Sequence, residues 1–202
     1  MKLNKCTSAD FDRITEYYKF VIDNTLGMKT YCPWIYGKHP TDEMIKSYID
    51  SGYMYFFEDN SQIVAAAVLT PFQDEAYSSV NWCIKLKSDE VSVIHLLCVN
   101  PKYQGRGISK KLIESRIDIA KRDSKKGIRL DALYSNTRAH SLYEGMGFKK
   151  CDVKNWYAGN TGWTDFYLFE YYFIQLSFIK IYPKYSIKDY CEKDTNLDSK
   201  CE

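Results

Sequence analysis

The sequence predicts an α+β fold built on a mixed sheet, and three observations carry that expectation. Apolar stretches with strand and helix periodicities follow one another in the order β-α-α-β-β-β-α-β-α-β-β. A β-branched run, Val91 to Val99, passes through Asn100-Pro101 into a glycine loop and then a helix. There is no internal repeat and no low-complexity tract, and 202 residues fit one domain with an appendage.

Each element has a local cause. Lys2 to Cys6 reads as a short first strand. Ser8 is a capping residue for a helix from Ala9, with Asp10 and Asp12 favourable in its first turn and Gly27 as its stop. Met28 to Pro40 is an aromatic-rich loop. Thr41 caps a second helix, Asp42 to about Asp50, with Met44, Ile45, Tyr48 and Ile49 as its apolar stripe. Tyr53 to Glu58 and Gln62 to Leu69 form a hairpin around Asp59-Asn60-Ser61. Pro71 to Lys87 is irregular and reads as an insertion before the central strand. Ile108 to Arg122 is the third helix, and Ile128 to Leu133 a further strand. Ala139, Leu142, Tyr143 and Met146 recur on one helical face, and Gly147 stops that helix. Val153 to Tyr157 and Thr164 to Phe173 close the sheet.

The central stretch carries the chemistry. Gly105 and Gly107 lack a Cβ, so the backbone of Gln104-Gly105-Arg106-Gly107-Ile108-Ser109 can turn sharply and approach a ligand. Its N–H groups converge at the positive end of the following helix, which suits a phosphate. The dinucleotide fingerprint is excluded, because Lys110 stands where its third glycine belongs. A Walker A loop is excluded because no Gly-Lys-Ser/Thr follows at its spacing.

The stretch resembles motif A of the GNAT acyltransferase superfamily, Gln/Arg-x-x-Gly-x-Gly/Ala, as Gln104-x-x-Gly107-x-Ser109, with Ser109 departing from the usual residue. About thirty residues on, Asn136-x-x-Ala139-x-x-Leu142-Tyr143-x-x-x-Gly147-Phe148 resembles motif B. Trp34, Lys38 to Thr41 and Val93 to Val99 look like a bacterial branch of that superfamily. The resemblance covers about Lys2 to Ile174. It implies a GNAT fold: a mixed, mostly antiparallel sheet, helices on both faces, splayed at the central strand. It implies acetyl-CoA as cosubstrate, with pantetheine along Leu97, Cys98 and Val99. The pyrophosphate would lie on Gln104, Gly105, Arg106, Gly107, Ile108 and Ser109. Asn136, Ala139 and Tyr143 would flank the arm.

Two residues are assigned to the chemistry that the resemblance implies. Tyr143 is the expected general acid for the departing thiolate; without motif B it would read as a core tyrosine. His95 is the expected general base, through water, because imidazole can take the proton of an incoming amine. His95 precedes Leu97 by two residues, so both side chains nominally face one way. A histidine holds the matching position in serotonin N-acetyltransferase. Glu58, Glu75 and Glu90 are alternative bases, while His39 and His140 read as loop and helix-surface residues. Cys98 could support an acyl-cysteine route, but a strand cysteine is more often a small core residue. Tyr31, Trp34 and Tyr36 either wall the acceptor pocket or pack a loop.

Composition bounds the rest. A net charge of +2 implies no polyanion-binding field, and no metal is expected. The basic residues from Lys102 to Arg129, Arg116 and Arg129 among them, interleave with acids and read as a solvated face rather than a nucleic-acid surface. No apolar run of membrane-spanning length and no secretory h-region occur, so a cytoplasmic protein without a membrane partner is expected. The 7 scattered cysteines favour reduced thiols. Residues 175–202 form an extension, polar and disordered in its last part; its alternating run Leu176 to Tyr182 is expected to cover a sheet edge, its own or that of a second copy in a homodimer. The acceptor is expected to be a small-molecule or peptide amine. The competing reading is a non-catalytic acyl-CoA-binding or scaffold protein on the same fold.

Overall fold

The computed structural model describes residues 1–173. The expected tail run, the extension and the cysteines Cys191 and Cys201 lie outside them. One sheet of 7 strands organises the fold, in the order β1-β2-β3-β4-β5-β7-β6. Its strands are β1 (Lys2–Lys5), β2 (Met54–Asp59), β3 (Gln62–Thr70), β4 (Val91–Val99), β5 (Gly127–Leu133), β6 (Lys149–Ala158) and β7 (Gly162–Tyr172). The helices are α1 (Phe11–Asn24), α2 (Met28–Tyr31), α3 (Asp42–Asp50), α4 (Ile108–Arg122) and α5 (Thr137–Gly145). Only β4 and β5 run parallel; every other neighbour pair is antiparallel. The expected α+β architecture with a mixed, mostly antiparallel sheet is what forms.

Alternation along β2 puts helices on both faces. Phe56 turns toward α1, where the Arg13 guanidinium lies over its ring at 5.7 Å. Its neighbour Tyr55 turns the other way and meets Arg116 of α4 at 4.1 Å. The α1 face is sealed by Ile14, Tyr18, Val21, Ile45, Met54, Val68 and Leu96. Ala65, Ala66 and Ala67 are fully buried on β3, where small side chains let helices approach the sheet.

Local details differ from expectation in instructive ways. Thr7, not Ser8, starts the first helical segment: the Asp10 carboxylate accepts from both the Thr7 N–H (3.0 Å) and its hydroxyl (2.8 Å). A 3₁₀ turn, Ser8–Asp10, precedes α1. The α3 cap is as expected, with Thr41 Oγ1 accepting from the Met44 N–H at 3.2 Å. The β2–β3 turn places Asn60 and Ser61 at φ 46° and 61°, the left-handed pair that a two-residue hairpin needs.

The expectation of reduced thiols fails at Cys83 and Cys151, which form a disulfide across 68 residues of sequence. It ties the segment between β3 and β4 to β6. The same segment is held by a buried ion pair. Arg129 of β5, expected on a solvated face, is fully buried; its Nε donates to Glu170 Oε1 at 2.8 Å and its Nη2 to the Ile84 carbonyl at 2.9 Å. Glu170 in turn accepts from the Ile84 N–H at 3.0 Å, and Trp82 covers the guanidinium at 4.2 Å.

Removing one partner leaves an uncompensated buried charge. Glu170→Gln should therefore cost about 3 kcal/mol or more of stability in urea unfolding. A loss below about 1 kcal/mol would show the pair to be energetically neutral.

Candidate active site

The site opens where β4 leaves β5. Pairing between them is confined to Val91–Val93 against Gly127–Arg129. Beyond that point β4 is irregular. Leu96 has φ 49°, and the register with β3 shifts between Ala66 and Val68. A left-handed leucine is costly and must be held by its surroundings. Two consecutive tyrosines of α1 hold it: the Tyr18 hydroxyl donates to the Leu96 carbonyl at 2.8 Å and the Tyr17 hydroxyl to the Cys98 carbonyl at 3.0 Å.

The gap is a cleft of about 410 Å³. Leu97, Cys98 and Val99 of β4 line one side, Asn136 and Ala139 of α5 another. Gln104, Gly105 and Ser109 come from the glycine loop, and Tyr31, Cys32 and Trp34 from the segment after α1. That segment is fastened over the cleft from several directions. Ser135 Oγ donates to the Tyr31 carbonyl at 3.2 Å, and the Asn160 amide at the β6–β7 turn donates to the Pro33 carbonyl at 2.9 Å. Arg138 stacks on Tyr31 at 4.3 Å. Tyr36, by contrast, is engaged by Asp42 and lies under Lys19.

Gly105 and Gly107 sit at φ 75° and 72°, and Gly107 caps α4. Among the described residues, a Cβ at either would meet no atom within 4 Å beyond its chain neighbours, so the loop backbone borders open space. Among the described residues, the N–H groups of Gly105 to Ser109 make no hydrogen bond outside the helix ladder. Helix-start donors left open in this way suit an anion. Gln104 folds back, its amide donating to the Val99 carbonyl at 3.2 Å. Of the other expected loop contacts, Arg106 stacks on Tyr103 at 5.3 Å, and the Ile108 side chain is buried. These residues fit the pyrophosphate and arm of an acyl-CoA.

Asn136 spends its Oδ1 on the α5 cap, accepting from the Ala139 N–H at 3.3 Å. Tyr143 lies on the buried face of α5, against Phe148 and Phe169 at 5.8 and 5.5 Å. It is not among the residues that line the cleft. Burial, then the charge of Asp131 and the nearby Cys32 thiol, push its pKa up, so the phenol stays protonated.

His95 does not line the cleft with Leu97. The shifted register pairs it with Val68, so the two residues lose the shared direction that regular alternation implied. Its ring stacks on Tyr48 at 6.0 Å, and Nε2 lies 3.4 Å from Thr70 Oγ1. Burial lowers its pKa, while Asp131 and Asp74 pull the other way. His140, expected on the surface, is buried, with Nε2 2.9 Å from the Leu133 carbonyl and Tyr167 stacked on it at 4.7 Å. Glu58 pairs with Arg13 and Glu90 with Lys126; Glu75 is exposed in the insertion.

Asp131 of β5 is the residue that sequence reading missed. Tyr77 of the insertion donates its hydroxyl to Asp131 Oδ1. The Asp131 charge bears on the protonation of Cys32, His39, Tyr48, Tyr77, His95 and Tyr143. Its signal was an acid inside the otherwise apolar alternation of Ile128 to Leu133.

The matches to known proteins agree with this geometry. Residues 23–148 match the acetyltransferase (GNAT) family, and the chain belongs to it. A ribosomal-protein-alanine N-acetyltransferase from Brucella melitensis superposes with a TM-score of 0.64 at 17% identity, over 86% of this chain and 100% of that one. A Salmonella typhimurium protein, solved with its cofactor acetyl-CoA, gives 0.63 at 18% identity, over 87% and 95%. In sequence, an N-acetyltransferase of Methanocaldococcus jannaschii is 34% identical over 77 residues, 38% of this chain and 34% of that protein. The [ribosomal protein bS18]-alanine N-acetyltransferase of Escherichia coli is 31% identical over 78 residues, 38% of this chain and 52% of that protein. The chain thus spans about a third to a half of these curated relatives' length.

Cys98 is not poised as a nucleophile. Burial pushes its thiol up to about 12, against the pull of the Tyr17 hydroxyl. At pH 8 its thiolate is then scarcer than that of a free cysteine by roughly a thousandfold. Iodoacetamide should label Cys98 more slowly by that order in native protein, read by mass spectrometry. Labelling at the free-thiol rate would revive the acyl-cysteine route.

Proposed function

We propose that the protein transfers the acetyl group of acetyl-CoA to a primary amine by direct attack. The observation that carries this reading is the loop of open N–H groups from Gly105 to Ser109, bordering the cleft that Leu97 to Val99, Asn136 and Ala139 line. Residues 1–174 form the acetyltransferase domain in this reading. Leu97 to Val99, Asn136 and Ala139 hold the arm of the cosubstrate. The amine nitrogen attacks the thioester carbonyl, the carbon–sulfur bond breaks, and the thiolate takes the Tyr143 proton. A base on the far side of the cleft takes the proton of the amine. No metal has a role in these steps.

The acceptor is a small amine, an amino acid or a peptide N-terminus. Relatives named for ribosomal-protein alanine and for an α-amino group favour the peptide. No helix among the described residues is long and apolar enough to cross a membrane, and a cytoplasmic setting suits the use of acetyl-CoA. A non-catalytic acyl-CoA binder is the second reading. Ser109, which lines the cleft where the motif has glycine or alanine, favours it. Thiol release from acetyl-CoA across a panel of amines and short peptides separates the two, since a pure binder releases none above the background hydrolysis rate.

Tyr143→Phe retains the ring packing and removes the proton donor. General acid catalysis is worth about 10²–10⁴-fold, so kcat should fall by that order with CoA affinity nearly constant. Full turnover would return Tyr143 to a packing role.

The base is His95 acting through water, or Asp131. His95 is held below its ordinary 6.5, so if it is the base, kcat/KM rises with pH through an inflection below 6.5. His95→Gln then loses that inflection and Asp131→Asn keeps it. The opposite pattern assigns the base to Asp131.

A further inference from the structure

Two arginines are fully buried, Arg116 and Arg129, and the fold treats them differently. Arg129 has a carboxylate, a carbonyl and a glutamine on its guanidinium. Arg116, on α4, has none of these. Its Nη2 reaches Ser115 Oγ at 3.3 Å and its guanidinium lies over the Tyr55 ring at 4.1 Å. Its Nε and Nη1 have no hydrogen-bond partner. A buried, unpaired charge of this kind is costly, and its field is poorly screened by water.

Tyr55 also lines a groove of about 480 Å³ between β1, β2 and the end of α4. It shares no residue with the cleft described above. Lys5 and Arg122 flank it, and neither has an ion-pair partner among the described residues. Asp123 is its one acid, and Leu3, Tyr55 and Ile119 give it an apolar wall. Arg122 is close enough to Arg116 to disfavour its charge. Two exposed cations and one carboxylate thus border the groove, and the buried Arg116, stacked on Tyr55, adds its field without lining it. The volume is that of a ligand pocket rather than of a single ion.

We propose that this groove binds a small organic anion, with a carboxylate or phosphate monoester head and an apolar body. The head lies on Lys5 and Arg122 within the field of Arg116, and the body lies on Leu3, Tyr55 and Ile119. The ligand supplies the counter-charge that the fold leaves out. This site is separate from the acetyl-transfer cleft and stands or falls without it.

The test is calorimetric titration of the full chain with phenyl phosphate, benzoate and inorganic phosphate, with CoA present in excess to occupy the glycine loop. Phenyl phosphate or benzoate should bind, the tighter of the two identifying the head, and inorganic phosphate more weakly than either. Affinity should fall at least about tenfold in the Lys5→Gln/Arg122→Gln variant, while CoA titrations of wild type and variant stay alike. Arg116→Met should weaken the anion too, yet leave the ligand-free melting temperature unchanged or raised, because a buried unpaired charge has gone. No heat from any of the three anions up to about 10 mM overturns the proposal. So does affinity that survives either variant. Inorganic phosphate binding as tightly as phenyl phosphate would mean an adventitious ion only.

Discussion

Two tyrosine hydroxyls decide the shape of the central strand. Tyr17 and Tyr18 reach from α1 to the carbonyls of Cys98 and Leu96. Without those bonds nothing in the local sequence would keep a leucine at φ 49°. With them, β4 is bent, its register with β3 is shifted, and its last residues stand clear of β5. The cleft along Leu97 to Val99 depends on that departure. An amphipathic helix here acts on the backbone of the strand it covers, beyond its hydrophobic contact with it.

The neighbourhood of Asp131 rests on a different support. The segment between β3 and β4 is irregular, yet it is held by a disulfide, by a buried arginine–glutamate pair and by Trp82 over the guanidinium. From that segment Tyr77 reaches Asp131. Loop residues gain positional precision when their backbone is anchored at several points, and this one is anchored to β5, β6 and β7. The position of the central carboxylate is therefore coupled to an element with no regular structure of its own.

The parts of the fold legible in the sequence are those caused locally. Gly105 and Gly107 announce a turn because only glycine adopts such φ values freely, and Thr41 announces a helix because its hydroxyl caps it. Periodicity marked each strand of the sheet. What escaped depends on residues far apart. The bulge at Leu96 comes from tyrosine bonds that span 78 and 81 residues of the chain, and the disulfide from cysteines 68 apart. His140 falls on a helix position that looks exposed until β7 brings Tyr167 over it. Asp131 was visible only as a polar residue out of pattern; its importance appears once its charge bears on the protonation of His39, His95 and Tyr143. The candidate site was legible on its cofactor side, where backbone rules apply, and poorly on its acceptor side, where long-range packing decides.

The short register between β4 and β5 has a thermodynamic consequence. Strands β1 to β4 and strands β5 to β7 are two half-sheets joined along the backbone at Val91 to Val93. The segment after α1, fastened to Ser135, Arg138 and Asn160, and the β3–β4 segment, held by the disulfide and Arg129, are further bridges between them. A molecule filling the cleft touches both halves at once and acts as a removable staple. Its departure would be felt as faster amide exchange along the cleft-facing edges of β4 and β5, ahead of any change in the hairpins on either side. The half-sheets would keep their own structure while the seam between them breathes.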